Sequence, residues 1–345
     1  MARQYCGQLG KRDNCQVAVS LSLANHAASL PIAWRLYLPL EWTADAARRA
    51  AAGIPETVGF LTKPEIALEQ IRAAWAAGLP RGVVLMDAGY GSNTRLREEI
   101  GALGLTYVAG IPPQTSVWPP GTAPLPPLPW SGRGRRPKLM RRDAEHHPVS
   151  VKALALGLPP ASWQTVSWRQ GSTGALTSRF ARVRVRAAHR DEWRTKPRDE
   201  EWLLIEWPEG DTEPTKYWLA TVPPDVPFDR LVDLAKLRWR IERDYQELKQ
   251  ELGLGHYEGR GWRGFHHHAT LCIAAYAFLI AERARVPPSA AGDAADQCAT
   301  PEISQSRPPR GAARSPRTTC RKLDRDNPPT PDPRPRNHPG TMSVL

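Results

Sequence analysis

Acid is scarce in this 345-residue chain, and so is cysteine. The five cysteines (Cys6, Cys15, Cys272, Cys298, Cys320) are odd in number and never form a Cys-x-x-Cys pair, which argues against a disulfide framework or a zinc ribbon and fits a reducing compartment. Long apolar runs are also lacking. The longest, Leu271–Ala281, is too short to span a bilayer, and polar residues interrupt any apolar run before Val17, so no secretion signal is expected. The chain is therefore expected in the cytoplasm with no membrane partner. Asp and Glu number 35 against 47 Lys and Arg, a formal charge of +12. That excess favours a polyanion, because clustered cations release counterions from phosphates. It does not separate DNA from RNA. A hydrophobic content of 41% is enough for a real core, and the length allows two domains or one with a large insertion.

Along the chain, alternation predicts a β-hairpin from Gln16–Ala24 and Leu30–Leu38, preceded by a loop around Tyr5, Cys6 and Gly7 that also holds Asp13. Thr43–Gly53 and Lys63–Ala77 read as helices, the second with Ile66, Ala67, Ile71 and Trp75 as its apolar positions. Val83–Met86 is a short continuous apolar strand that ends at Asp87 and a glycine turn. A carboxylate in that position lies where α/β sheets place ligands, although helix capping explains an aspartate there equally well. A helix over Asn93–Leu103 and a buried strand over Leu105–Gly110 follow. From Pro112 the composition turns proline-rich, and Gly132–Arg142 is a basic loop whose Arg133, Arg135 and Arg136 can reach backbone phosphates from a glycine frame. Strands are expected at Trp163–Trp168, Phe180–Ala187, Glu201–Trp207 and Tyr217–Val222. His146-His147 and the triplet His266–His268 are poor metal sets, since neighbouring residues on a helix point about 100° apart. Beyond Pro287 the chain is rich in Pro, Arg, Asp and Ser with few apolar residues, a composition expected to stay disordered.

The densest signal is Leu237–Lys249, read as one helix. At about 100° per residue Arg238, Glu242 and Lys249 fall within roughly 40° of one another, while Leu234, Leu237, Ile241, Leu248 and Leu252 line the adjoining arc. Such spacing also suits a solvated face of weak ion pairs.

This run resembles the Tyr-x2-Arg-x3-Glu-x6-Lys signature of insertion-sequence transposases of the Asp-Asp-Glu superfamily, with Arg238, Glu242 and Lys249 in place and Ala235 where the tyrosine belongs. Arg3–Asn25 (RQYCGQLGKRDNCQVAVSLSLAN) and Leu85–Gly91 (LMDAGYG) are similar to the insertion-sequence 701-type group, and the likeness extends over most of residues 1–285. It implies an α/β fold with an RNase H-like core and a β-rich insertion. Residues 1–111 would form the first part of that core, 112–222 the connection and insertion, 223–285 the glutamate helix and its successor, and 286–345 the tail. The implied chemistry is DNA cleavage and strand transfer with two Mg²⁺ or Mn²⁺ ions, Asp87 and Glu242 as catalytic metal ligands, and Arg238 and Lys249 on phosphate. Trp218 resembles a tryptophan that stacks on a flipped base in some relatives. The partners would be double-stranded DNA, as transposon ends and target, and a second copy of the chain, in the bacterial cytoplasm at the nucleoid. The first aspartate of the set belongs on a strand upstream of Arg3–Asn25, so the core is expected to lack its first strand, to expose an unpaired edge, and to be an impaired, truncated copy. The tail is unlike the family's usual end and suggests a frameshift. A non-catalytic, DNA-binding remnant that interferes with the full-length enzyme is the alternative.

Overall fold

The computed structural model describes residues 2–6, 9–170, 174–285 and 341–344. The chain opens with a two-stranded ribbon, β1 (Ala2–Cys6) against β2 (Lys11–Cys15), with Ala2 opposite Cys15. The expected loop at Tyr5 and Cys6 is thus a strand, and Asp13 lies on its partner. Both faces of the ribbon are largely wet, so it carries no apolar alternation to betray it.

The expected hairpin is β3 (Ala18–Ala24) and β4 (Ser29–Leu36). Asn25 turns it by accepting the amide hydrogens of Ala27 and Ala28 at 2.9 and 2.8 Å. The register slips beside Pro31, which has no amide hydrogen to give and is tolerated because β4 is the sheet edge. Two short helices, α1 (Leu40–Thr43) and α2 (Ala46–Ala51), precede α3 (Lys63–Ala76), which a Thr62/Glu65 capping box starts. Ile66, Ala67 and Ile71 are buried as expected, whereas Trp75 is 39% exposed. Nine residues at 100° put Trp75 half a turn round the helix from Ile66, where it meets Arg81 instead of the core.

Then come β5 (Val83–Met86), α4 (Ala88–Gly91), α5 (Thr94–Ala102), β6 (Tyr107–Ile111), β7 (Ser116–Trp118), β8 (Val149–Ser150) and α6 (Val151–Leu156). The strands β9 (Gln164–Gln170), β10 (Ala175–Ala187), β11 (Glu201–Pro208) and β12 (Lys216–Ala220) follow. The helices α7 (Phe228–Leu237), α8 (Trp239–Gln250) and α9 (Trp262–Arg285) come next, and β13 (Thr341–Val344) is last. Eleven described strands form one mixed sheet in the order β4-β3-β13-β5-β6-β12-β11-β10-β7-β8, with β9 on β10. The strands of the expected insertion extend this sheet, since β12 pairs with β6 and sets Leu219 opposite Ala109.

Both faces are covered. Val84, Met86, Ala109, Leu203 and Ile205 face α3 and α5, while the alternate residues Leu85, Val108 and Leu204 face α7. A third cluster places Ile241, Tyr245 and Leu248 of α8 and Cys272 and Tyr276 of α9 against Leu30 and Trp34 of β4.

Two expectations are corrected here, and a third element is longer than expected. No edge is exposed where a first strand was thought missing, because β13 lies between β3 and β5 and pairs with both. The tail is not structureless to its end: Thr-Met-Ser-Val carries no charge or proline and includes two β-branched residues, unlike the sequence before it. The expected disorder of 286–340 lies outside the described residues. Finally, α9 outruns the apolar stretch Leu271–Ala281, and by length and composition alone it passes as a membrane span. Ala269, Cys272 and Tyr276 on one side of it are nevertheless buried in the protein.

Candidate active site at the end of β5

Continuous apolar residues bury β5 on both faces, and the strand stops where the first charge appears. Asp87 leaves the strand and caps α4, its Oδ1 accepting the Tyr90 amide hydrogen at 3.1 Å. The capping role and the strand-end position therefore coexist, and the carboxylate remains partly exposed. The glycine turn has a steric cause: a Cβ on Gly91 would come within 2.0 Å of the Gly110 carbonyl oxygen, so only glycine lets α4 lie on β6.

The single helix expected over Leu237–Lys249 is interrupted at Arg238, which ends α7 and starts α8. Its two halves serve different cores. Leu234 and Leu237 pack on the sheet with Phe180, whereas Ile241, Tyr245 and Leu248 pack over β4. Arg238 and Glu242 do come together, with Nη2 2.7 Å from Oε1 and the Glu242 side chain 62% exposed. Lys249 lies on α8, exposed.

Tyr90 and Tyr245 each sit three residues beyond one of the two carboxylates. Burial pushes the Tyr90 hydroxyl far up, and the charges of Asp87 and Tyr245 push it further. The α8 helix is clamped against β4 and α9. Asp244 is buried and accepts hydrogen bonds from the Ser29 hydroxyl of β4 and, at 2.9 Å, from the Tyr276 hydroxyl of α9. Its burial raises the carboxyl above the ordinary aspartate range, against the pull of those two donors. Arg240 donates to the His26 carbonyl, and half-burial lowers its pKa. Asp244 was not singled out from the sequence, although it falls within the same arc as Ile241, Tyr245 and Leu248, and an acid at a core position is the signal that would have found it.

The other candidates lie elsewhere. Trp218, on β12, is partly buried against the α7 core, where Lys236 sits 5.7 Å from its ring, 4.3 Å from that of Trp168 and 5.5 Å from that of Phe180, while ion-paired to Glu206. Arg133, Arg135 and Arg136 are exposed on a loop held at its base by the Leu125–Arg141 bridge, with Gly132 and Gly134 in the left-handed region. His266 bonds the Trp262 carbonyl, His268 the Gly253 carbonyl and His146 the Ala123 carbonyl, so these rings have separate structural partners.

Among the described residues no three His, Cys, Asp or Glu side chains converge as a metal-holding group. Asp87 and Glu242 each have one oxygen engaged, by Tyr90 and Arg238 respectively. Each keeps one further oxygen that could serve a hard cation, a donor set too small for a two-ion arrangement.

The comparisons with known proteins bear on this geometry. The sequence matches the DDE superfamily endonuclease family over residues 1–175, half of the chain, and the chain belongs to that family, whose members use divalent metal ions. It is similar to a probable transposase for insertion sequence element IS701 from Microchaete diplosiphon, with 34% identity over 110 residues. That stretch is 32% of this chain and spans about a quarter, 26%, of the relative.

Proposed function

We propose that this chain carries the catalytic region of an IS701-type DNA transposase, which cuts and joins DNA by phosphoryl transfer. The observations that carry the reading are Asp87 at the end of a buried strand and, on α8, the Arg238–Glu242 pair with Lys249 on the same helix. The order β4-β3-β13-β5-β6, with β13, β5 and β6 parallel and β3 antiparallel to β13, supports an RNase H-like core. In this reading Asp87 and Glu242 hold the divalent ion, Mg²⁺ or Mn²⁺. Once bound, such an ion supplies the Lewis acidity that polarises the phosphate.

The remaining work falls to the protein's own groups. Arg238 moves from Glu242 to a phosphate oxygen when DNA arrives, and Lys249, about three helical turns further along, contacts the same strand. The attacking oxygen forms a bond to phosphorus as the opposite P–O bond breaks, and the cationic stripe offsets the charge that gathers on the equatorial oxygens. Arg133, Arg135 and Arg136 contact the duplex backbone, which fixes register without reading sequence. The enzyme would work as a homodimer in the cytoplasm at the nucleoid.

The shortage of donors favours one second reading, a non-catalytic DNA-binding form that competes with a complete transposase for its ends. Mg²⁺-dependent nicking of a supercoiled plasmid bearing the DNA that flanks the coding region separates the two. The first reading predicts nicking that is lost in Glu242→Ala with DNA binding retained. Binding without nicking by the unaltered chain would establish the second reading instead, and equal nicking by both proteins removes Glu242 from the chemistry.

A further inference from the structure

The centre of the sheet is held by its most remote piece. β13 has four residues and is separated from Arg285 by residues 286–340, whereas the hairpin neighbours β3 and β4 are joined through 25–28 and β11 and β12 through 209–215. It nevertheless makes ladders on both sides. Thr341, Met342, Ser343 and Val344 run antiparallel to Ala24, Leu23, Ser22 and Leu21, and the first three run parallel to Val83, Val84 and Leu85. Strands lie about 4.8 Å apart, so β3 and β5 stand about two spacings from each other and cannot pair directly.

The walls of the gap are uncharged, Leu-Ser-Leu-Ala on one side and Val-Val-Leu-Met on the other. Leu21, Ser22 and Val84 are fully buried and Leu85 nearly so. Among the described residues the Ser22 hydroxyl, on the residue directly opposite Ser343, has no hydrogen-bond partner. A gap with backbone donors and acceptors along both edges and no charge on either suits an extended peptide without charged side chains.

We propose that the space between β3 and β5 is a strand-binding site and that the chain's own carboxyl-terminal segment, Thr341–Val344, is its resident ligand. The segment acts as a clip that joins the β4-β3 edge to the rest of the sheet. Removing it opens two unpaired edges in the middle of the molecule, and the same sequence supplied as a free peptide closes them.

The register gives the test in the full-length chain. Ala24→Cys combined with Thr341→Cys is expected to form an intrachain disulfide under mild oxidation, located by peptide mapping. Ala24→Cys with Val344→Cys, three residues out of register, is expected not to. Equal yields from the two pairs, or an interchain bond in the first, overturn the assignment. As a second readout, Ser343→Pro removes a ladder amide hydrogen. It should speed hydrogen exchange at Leu21–Ala24 and Val83–Leu85 by roughly tenfold or more, and a synthetic peptide of residues 337–345 should restore protection where a scrambled one does not. Unchanged exchange in Ser343→Pro, or equal rescue by both peptides, counts against the site. If that variant fails to fold, the disulfide pairing still decides.

Discussion

Glycine at position 91 is needed for a reason that lies across the sheet, in the carbonyl of Gly110. Placing a Cβ there drives α4 off β6 and takes Asp87 with it. Gly91→Ala should therefore cost about 1–3 kcal/mol in chemical denaturation, with the slope unchanged, and unaltered stability would mean that α4 does not rest on β6. His266 gives a second residue-level prediction, this one in pH. Its Nδ1 donates to the Trp262 carbonyl at 2.9 Å and its Nε2 accepts the Leu36 amide hydrogen at 3.4 Å, an arrangement that needs the neutral ring. Burial lowers its pKa, and the nearby Arg35 lowers it further against the pull of the Trp262 carbonyl. The unfolded chain therefore takes up the proton first. The stability that this ring contributes is present above the ordinary histidine pKa of about 6.5 and is lost as pH falls through the lower folded value. Melting temperatures between pH 7 and 5 should fall more steeply for the unaltered protein than for His266→Asn.

Among the elements, β12 and α7 carry the cage in which Lys236 meets Glu206 beside Trp168, Phe180 and Trp218. Because Trp218 packs there, Trp218→Ala should lower stability by about 2 kcal/mol and Trp218→Phe by clearly less. Denaturation midpoints that match the unaltered chain in both would free Trp218 for a purely DNA-facing role. The elements also mark where the sequence was readable. The hairpin of β3 and β4, the α3 and α5 helices, β5 with Asp87 at its end, and β9 to β12 all announce themselves by alternation or by apolar runs. What stayed hidden has local causes. The first ribbon has no dry face, so its period is invisible. The break at Arg238 arises because α7 and α8 serve different cores, and helical periodicity continues through it unchanged. The Asp244 clamp joins Ser29 to Tyr276, which no local pattern relates.

At the level of the molecule, remote pieces of sequence build one sheet and the helices packed on it. β5 comes from the first third of the chain and α8 from the last, and the strand that closes the sheet between β3 and β5 comes from the far end. Family membership rests on residues 1–175, which include Asp87 and exclude Glu242. The pairing of these two carboxylates at one cation is therefore the claim on which the proposed chemistry stands. Electron paramagnetic resonance titration with Mn²⁺ tests it directly, using the full chain, Asp87→Asn and Glu242→Gln. The account predicts one ion per chain, with affinity weakened on the order of tenfold or more by either substitution and no further by both together. Binding that neither substitution alters, or that responds to only one of them, would contradict a shared site.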